Sequence, residues 1–123
     1  MNELANTKAM DTVKIADEVI ATIAGITAMD VDNITLNLGG GMLSRKTSAK
    51  GVKVEAKDEG LHLYMNTTVR YGCQIHIAAQ NLQQRIRQAV ENMTGLNVAS
   101  ININVTNIIN EEMPVDSSAA DDE

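Results

Sequence analysis

The chain has 123 residues and is 44% hydrophobic, which suits one small domain that buries roughly two-thirds of its unfolded surface. Phe and Trp are absent and only Tyr64 and Tyr71 are aromatic, so aliphatic side chains and seven Met must fill the core, and the stacking platform of single-stranded nucleic acid binders is missing. The net charge of −6 divides unevenly: residues 1–110 hold ten Lys+Arg and ten Asp+Glu, and Glu111, Glu112, Asp116, Asp121, Asp122 and Glu123 follow without a base. A neutral body lacks the clustered basic surface expected of a nucleic-acid partner. The 111–123 segment, with Pro114 and Ser117-Ser118, reads as a disordered, solvating tail.

Residues 1–11 read as a flexible lead without the apolar region of a secretory signal, and the single Cys73 permits no internal disulfide, so a cytoplasmic location is expected. Val13-Lys14-Ile15 reads as a short strand entering a helix over Ala16 to Ala28. Its expected inward stripe is Ala16, Val19, Ile20, Ile23 and Ala24, widened by Ile26. Asp17 and Glu18 fall in the first turn, where carboxylates favour the positive end of the helix dipole. The weakly polar run Val19–Met29 is much shorter than the roughly 20 residues that span a bilayer, so it reads as a buried core helix. Ile34, Leu36 and Leu38 alternate with polar residues up to Gly39-Gly40-Gly41, and a basic loop follows. Val52, Val54 and Ala56 then turn at Asp58-Glu59-Gly60 into Leu61, Leu63, Met65, Thr67 and Val69, the pattern of an antiparallel hairpin with one dry side.

A second helix over Gln74 to Met93 places Ile75, Ala78, Ala79, Leu82, Ile86, Ala89, Val90 and Met93 on one face, with Gly95 as its stop. The last strand alternates Ile101, Ile103 and Val105 with Asn102, Asn104 and Thr106. The expected fold is α+β: a two-layer sandwich, residues 12–110, of a mostly antiparallel sheet with two helices on one face. The other sheet face is left to solvent or a partner.

Chemistry is sparse. Gly40-Gly41-Met42-Leu43-Ser44-Arg45-Lys46-Thr47 matches the phosphate-loop pattern except that Arg45 stands at its second glycine, and a strand rather than a helix follows. Cys73 and His76, with His62 elsewhere, offer at most three loose ligands where structural zinc takes four. Cys73 near a helix start is a candidate reactive thiol, set against an ordinary small residue at a helix entrance. No Ser/His/Asp set or acid pair can be assembled from spacing alone. Catalytic, cofactor and metal sites are therefore left unassigned. The one local basic concentration includes Arg45, Lys46, Lys50 and Lys53, the candidate residues for facing a partner or a membrane surface. Interspersed Lys also protects exposed strands, so a solvated face is the plainer account of the same residues.

Several fragments in one order carry a resemblance: Ile15-Ala16-Asp17-Glu18-Val19-Ile20 with Ala24-Gly25, Lys50-Gly51-Val52-Lys53-Val54, Val69-Arg70-Tyr71-Gly72, Ala89-Val90-Glu91-Asn92-Met93-Thr94-Gly95-Leu96, and Ile101-Asn102-Ile103-Asn104-Val105. Over Val13 to Val105 the chain resembles the bacterial alkaline shock protein family of envelope stress response proteins. The resemblance implies a cytoplasmic, non-enzymatic, sometimes self-associating protein without agreed catalytic residues. It implies protein partners: a small membrane anchor protein for some members, acetyl-CoA carboxylase for others. Nucleic acid is not among them, and membrane contact would be peripheral or through a partner. The Gly39-Gly40-Gly41 loop and the acidic tail depart from many relatives.

Overall fold

In the computed structural model, residues 11–37 and 51–110 are described. The 1–10 lead, the glycine loop with its phosphate-loop-like run, Arg45, Lys46, Lys50 and the acidic tail lie outside the described residues. The elements run α1 (Asp17–Ala28), β1 (Ile34–Leu36), β2 (Val52–Lys57), β3 (Gly60–Arg70), α2 (Ile75–Thr94) and β4 (Val98–Ile109).

β3 organises the sheet. One of its edges is shared by two antiparallel strands, β2 opposite Gly60 to Met65 and β1 opposite Thr67 to Val69. Its other edge pairs along its length with β4, in parallel, and α2 supplies the crossover that a parallel pair requires. The ladder slips at Ala99 and at Thr106, each an extra residue on β4. The sheet is thus the expected mostly antiparallel one, with a parallel pair at its β4 edge.

The alternation of β3 is complete: Leu61, Leu63, Met65, Thr67 and Val69 are buried. Against them pack Ile20, Ala21, Ile23, Ala24 and Ala28 of α1 and Ala78, Leu82, Ile86 and Val90 of α2. Fully burying each larger aliphatic side chain of this set stabilises by about 1.5–3 kcal/mol before chain entropy is charged. Thr67, buried among them, donates its hydroxyl to the Asn104 carbonyl at 3.1 Å, which removes the cost of an unpaired polar group.

Several expectations are corrected. Residues 13–15 form no strand; Val13 is exposed and only Ile15 packs on the core. Ala16 is the N-cap of α1 and is exposed, because the helix starts one residue later than expected. Val19 and Ile26 point to solvent, whereas Ile20, Ile23 and Ala24 are buried as expected and are joined on the buried face by Ala21, Gly25 and Ala28. Ile75 and Met93, at the two ends of α2, are also exposed. Ala56 and Val105, both on the expected dry-side alternation of their strands, are exposed as well.

Candidate functional site

Lys53, the one predicted surface residue among those described, stands exposed on the outward face of β2. Its Nζ lies 3.8 Å from the Glu55 carboxylate and 6.0 Å from the centre of the Tyr64 ring, and Lys57 reaches the same carboxylate at 3.7 Å. Alternation explains the row, since residues 53, 55 and 57 share a face. Such exposed pairs contribute only about 0–1 kcal/mol each, so the row is available to a partner at little cost.

Across β3 and β4 the same face becomes a ladder built mainly of amide and hydroxyl side chains. The Tyr64 hydroxyl donates to Glu55 at 3.3 Å, and Asn104 donates to the Asn66 side-chain oxygen at 3.2 Å. Thr68 donates to the Asn37 side-chain oxygen at 2.6 Å, and the Asn37 amide donates to Thr106 at 2.9 Å. These amides and hydroxyls tie neighbouring strands together where side-chain packing does not.

One cluster on this face is invisible to spacing in the sequence. His62 lies 2.7 Å through Nε2 from the Glu59 carboxylate and 2.6 Å through Nδ1 from the Ser100 hydroxyl. With Nε2–H donating to the carboxylate, Nδ1 accepts the Ser100 proton, and the Asn102 amide donates to Ser100 Oγ at 3.0 Å. A Ser–His–acid chain has the order of a nucleophile, its base and an orienting acid. Here Ser100 is fixed inside the β3–β4 ladder, and neither it nor His62 lines the three cavities described below. What the chain does physically is fasten the β2–β3 turn to β4. Glu59 itself is held below the usual carboxylate range, first by a backbone hydrogen bond and then by the bond from His62.

Cys73 is half-buried and opens onto a cleft of about 660 Å³ between the α1–β1 connection and the start of α2. Asp30 and Asp32 line it on one element, Arg85 and Asn81 on α2. His76 lies in the first turn of α2, while His62 sits on the sheet with Glu59 and Ser100. Among the described residues no group of three or more His, Cys, Asp or Glu converges in a way that could hold a metal ion. A second cavity of about 340 Å³ has an apolar floor of Ile15, Ile20, Leu61 and Leu96, with Asp17, Lys57, Asp58 and Glu59 around it. A third, of about 50 Å³, lies against β1 and the end of β3.

Comparison with known proteins gives the family. The model of the alkaline shock protein 23 family, described as having a cell envelope-related function, matches residues 5–110. The uncharacterized protein YqhY of Bacillus subtilis is 38% identical over 102 residues, covering 78% of this chain and 76% of that protein. The uncharacterized protein YloU of Bacillus subtilis is 32% identical over 104 residues, covering 78% and 87%. The uncharacterized protein Spy1614 of Streptococcus pyogenes is 28% identical over 104 residues, covering 78% and 86%. Among solved structures, Aquifex aeolicus Era bound to GDP·AlF4− aligns with a TM-score of 0.45 at 14% identity over 81% of this chain, which spans 34% of that one. With the family model covering most of its length, the chain belongs to the alkaline shock protein 23 family of cell envelope-related proteins.

Proposed function

We propose that the chain is a non-enzymatic scaffolding protein of the bacterial envelope stress response, working in the cytoplasm by holding protein partners on its surface. Family membership supports the envelope role. The observation that carries the scaffold is the sheet face on which neither helix packs, where the Lys53–Glu55–Lys57 row adjoins a ladder of Asn and Thr side chains. A polar face with satisfied hydrogen bonds suits reversible contact with a partner rather than chemistry on a substrate. Among the described residues no helix is long and apolar enough to cross a membrane, so contact with the envelope would run through a partner or a peripheral surface.

Native pull-down from the source cells, with and without membrane solubilisation, tests this reading. A small membrane protein recovered only after solubilisation, and lost when Arg45, Lys46, Lys50 and Lys53 are reversed to Glu, is the expected result. Unaltered recovery by the reversed protein would remove this surface from consideration. The resemblance also supports a second role, regulation of fatty-acid synthesis by binding acetyl-CoA carboxylase. Recovery of soluble carboxylase subunits in place of a membrane protein would replace the scaffold with that regulator.

A further inference from the structure

The outer face of α1 is unusual for a helix on the surface of a small domain. Between Glu18 and Asp30 the sequence has no charged residue, although only part of the helix is buried. The residues turned outward are Val19, Thr22, Ile26 and Met29, spaced three and four apart. Val19 is 49% exposed, Ile26 54% and Met29 76%, so the core does not account for their apolar character. Thr22 bends its hydroxyl back to the Glu18 carbonyl at 2.8 Å, which presents its methyl rather than a free polar group along the ridge. A contiguous apolar ridge of this kind marks an interaction surface.

Charge decides what can lie on it. Asp17 and Glu18 stand at the N-terminal end of the ridge, and Asp30 and Asp32 at its C-terminal end. Residues 11–33 hold five acids and one base, Lys14, and Arg85 of α2 lines the cleft beside Asp30 and Asp32. Two copies of α1 packed antiparallel would oppose Asp17 and Glu18 to Asp30 and Asp32, and packed parallel would oppose each acidic end to itself. Either arrangement sets like charges against each other, and an anionic lipid surface meets the same repulsion. The cavity beside the start of α1 repeats the pattern, with its floor of Ile15, Ile20, Leu61 and Leu96 beside Asp17, Asp58 and Glu59. The Lys57 charge on that rim is shared with Glu55.

We propose that the outer face of α1 is the docking site for an amphipathic helix of a protein partner whose apolar stripe is flanked at both ends by basic residues. The proposal rests on the reading of the chain as an interaction protein and gives it a second surface, on the helix side of the sheet. A scaffold with two separate faces can hold two partners at once.

The test uses the full chain and a designed helical peptide of about 15 residues, close to the length of α1, with Leu at heptad spacing and Lys at both ends. Fluorescence anisotropy is expected to give saturable binding that weakens at least about tenfold in the Val19→Gln, Ile26→Gln double variant. The same peptide ending in Glu, or carrying Ser for Leu, is expected not to bind. Both substitutions lie on exposed positions, and an unchanged circular dichroism melt checks that the variant folds. Binding that the double variant leaves intact, or no binding at millimolar peptide, overturns the proposal. A dimer in sedimentation velocity that the double variant abolishes overturns it in favour of a second copy. Flotation with phosphatidylglycerol vesicles lost in the same variant overturns it in favour of a membrane. These readouts use purified protein, so they can fail while the pull-down above succeeds, and the reverse.

Discussion

Glu59 carries a carboxyl whose ionisation the fold shifts downward, and its environment fixes the sign of the effect. Its backbone hydrogen bond and the bond from His62 hold its carboxyl below the ordinary value, so the folded chain binds that proton less readily than the unfolded chain. The stabilisation is fully present above the unfolded carboxylate value of about 4.3 and is lost as pH falls through the lower folded value. In Glu59→Gln this part of the acid dependence disappears. Urea midpoints measured between neutral pH and pH 3 are expected to fall less steeply in the variant, by a difference under about one proton. Equal slopes would mean that neither the backbone hydrogen bond nor the bond from His62 holds the carboxylate in solution. The outward position of His62 was legible in the alternation of Leu61, Leu63 and Met65. Its meeting with Ser100 was not, because a contact across 38 residues depends on the register of a parallel strand that carries an extra residue at Ala99. Lys53 was placed correctly on an exposed strand face by the same alternation, but its sharing of Glu55 with Lys57 depends on side-chain reach.

At the scale of elements, two glycines separate conformational freedom from space. Gly60 ends the β2–β3 turn at φ +137°, and a Cβ there would stand 2.6 Å from Asn97 Nδ2 and 2.7 Å from Asn97 O. Asn97 cannot retreat cheaply, since its carbonyl accepts from Leu61 N at 2.8 Å and its amide donates to the Glu59 carbonyl at 2.8 Å. Gly95 ends α2 at φ +76°, its N–H on the Glu91 carbonyl, with nothing within 4 Å of a Cβ. Gly95→Ala therefore costs only the left-handed conformation, about 1 kcal/mol, whereas Gly60→Ala adds a clash with backbone and is expected to cost about 2–4 kcal/mol. Chemical denaturation of the two variants side by side decides it, and equal losses would show that Asn97 yields. The helix stop at Gly95 and the turn before Leu61 were both readable from the sequence, because local backbone chemistry dictates them. The polar stripe of α2 was not. Gln83 donates to the Ile101 carbonyl at 3.1 Å, Arg87 donates to the Val98 carbonyl, and Glu91 accepts from Val98 N at 2.9 Å. Spacing places these residues off the apolar stripe of α2, and in the fold they satisfy the backbone at the start of an edge strand. The exposed Val19 and Ile26 misled the inward stripe of α1 for the converse reason, since apolar character on a helix does not say which apolar residues the core accepts.

For the whole molecule, the absence of Phe and Trp and the central place of β3 have one consequence: the layers hold together through a single aliphatic cluster in which both helices touch strands that β3 pairs. No element has a core of its own, so unfolding is expected to be all-or-none. Leu82 sits at the centre of the buried stripe of α2 with 0% exposure. Leu82→Ala leaves a cavity that aliphatic neighbours fill only partly, and is expected to cost about 2–5 kcal/mol. For a folded body of this size each kcal/mol lowers Tm by roughly 4–8 °C, so a fall on the order of 10–30 °C is expected. The informative readout is how the loss is distributed. In native-state hydrogen exchange, the amides of Leu63, Met65 and Thr67 on β3 are expected to lose as much protection as the amide of Ile86 on α2, because both elements open only with the global transition. If β3 keeps its protection while α2 loses its own, the sheet is a separate cooperative unit, and the helices are a layer that can open without it. That result would also bear on α1, since a partner helix could then replace a helix of the domain rather than dock on the outside of one.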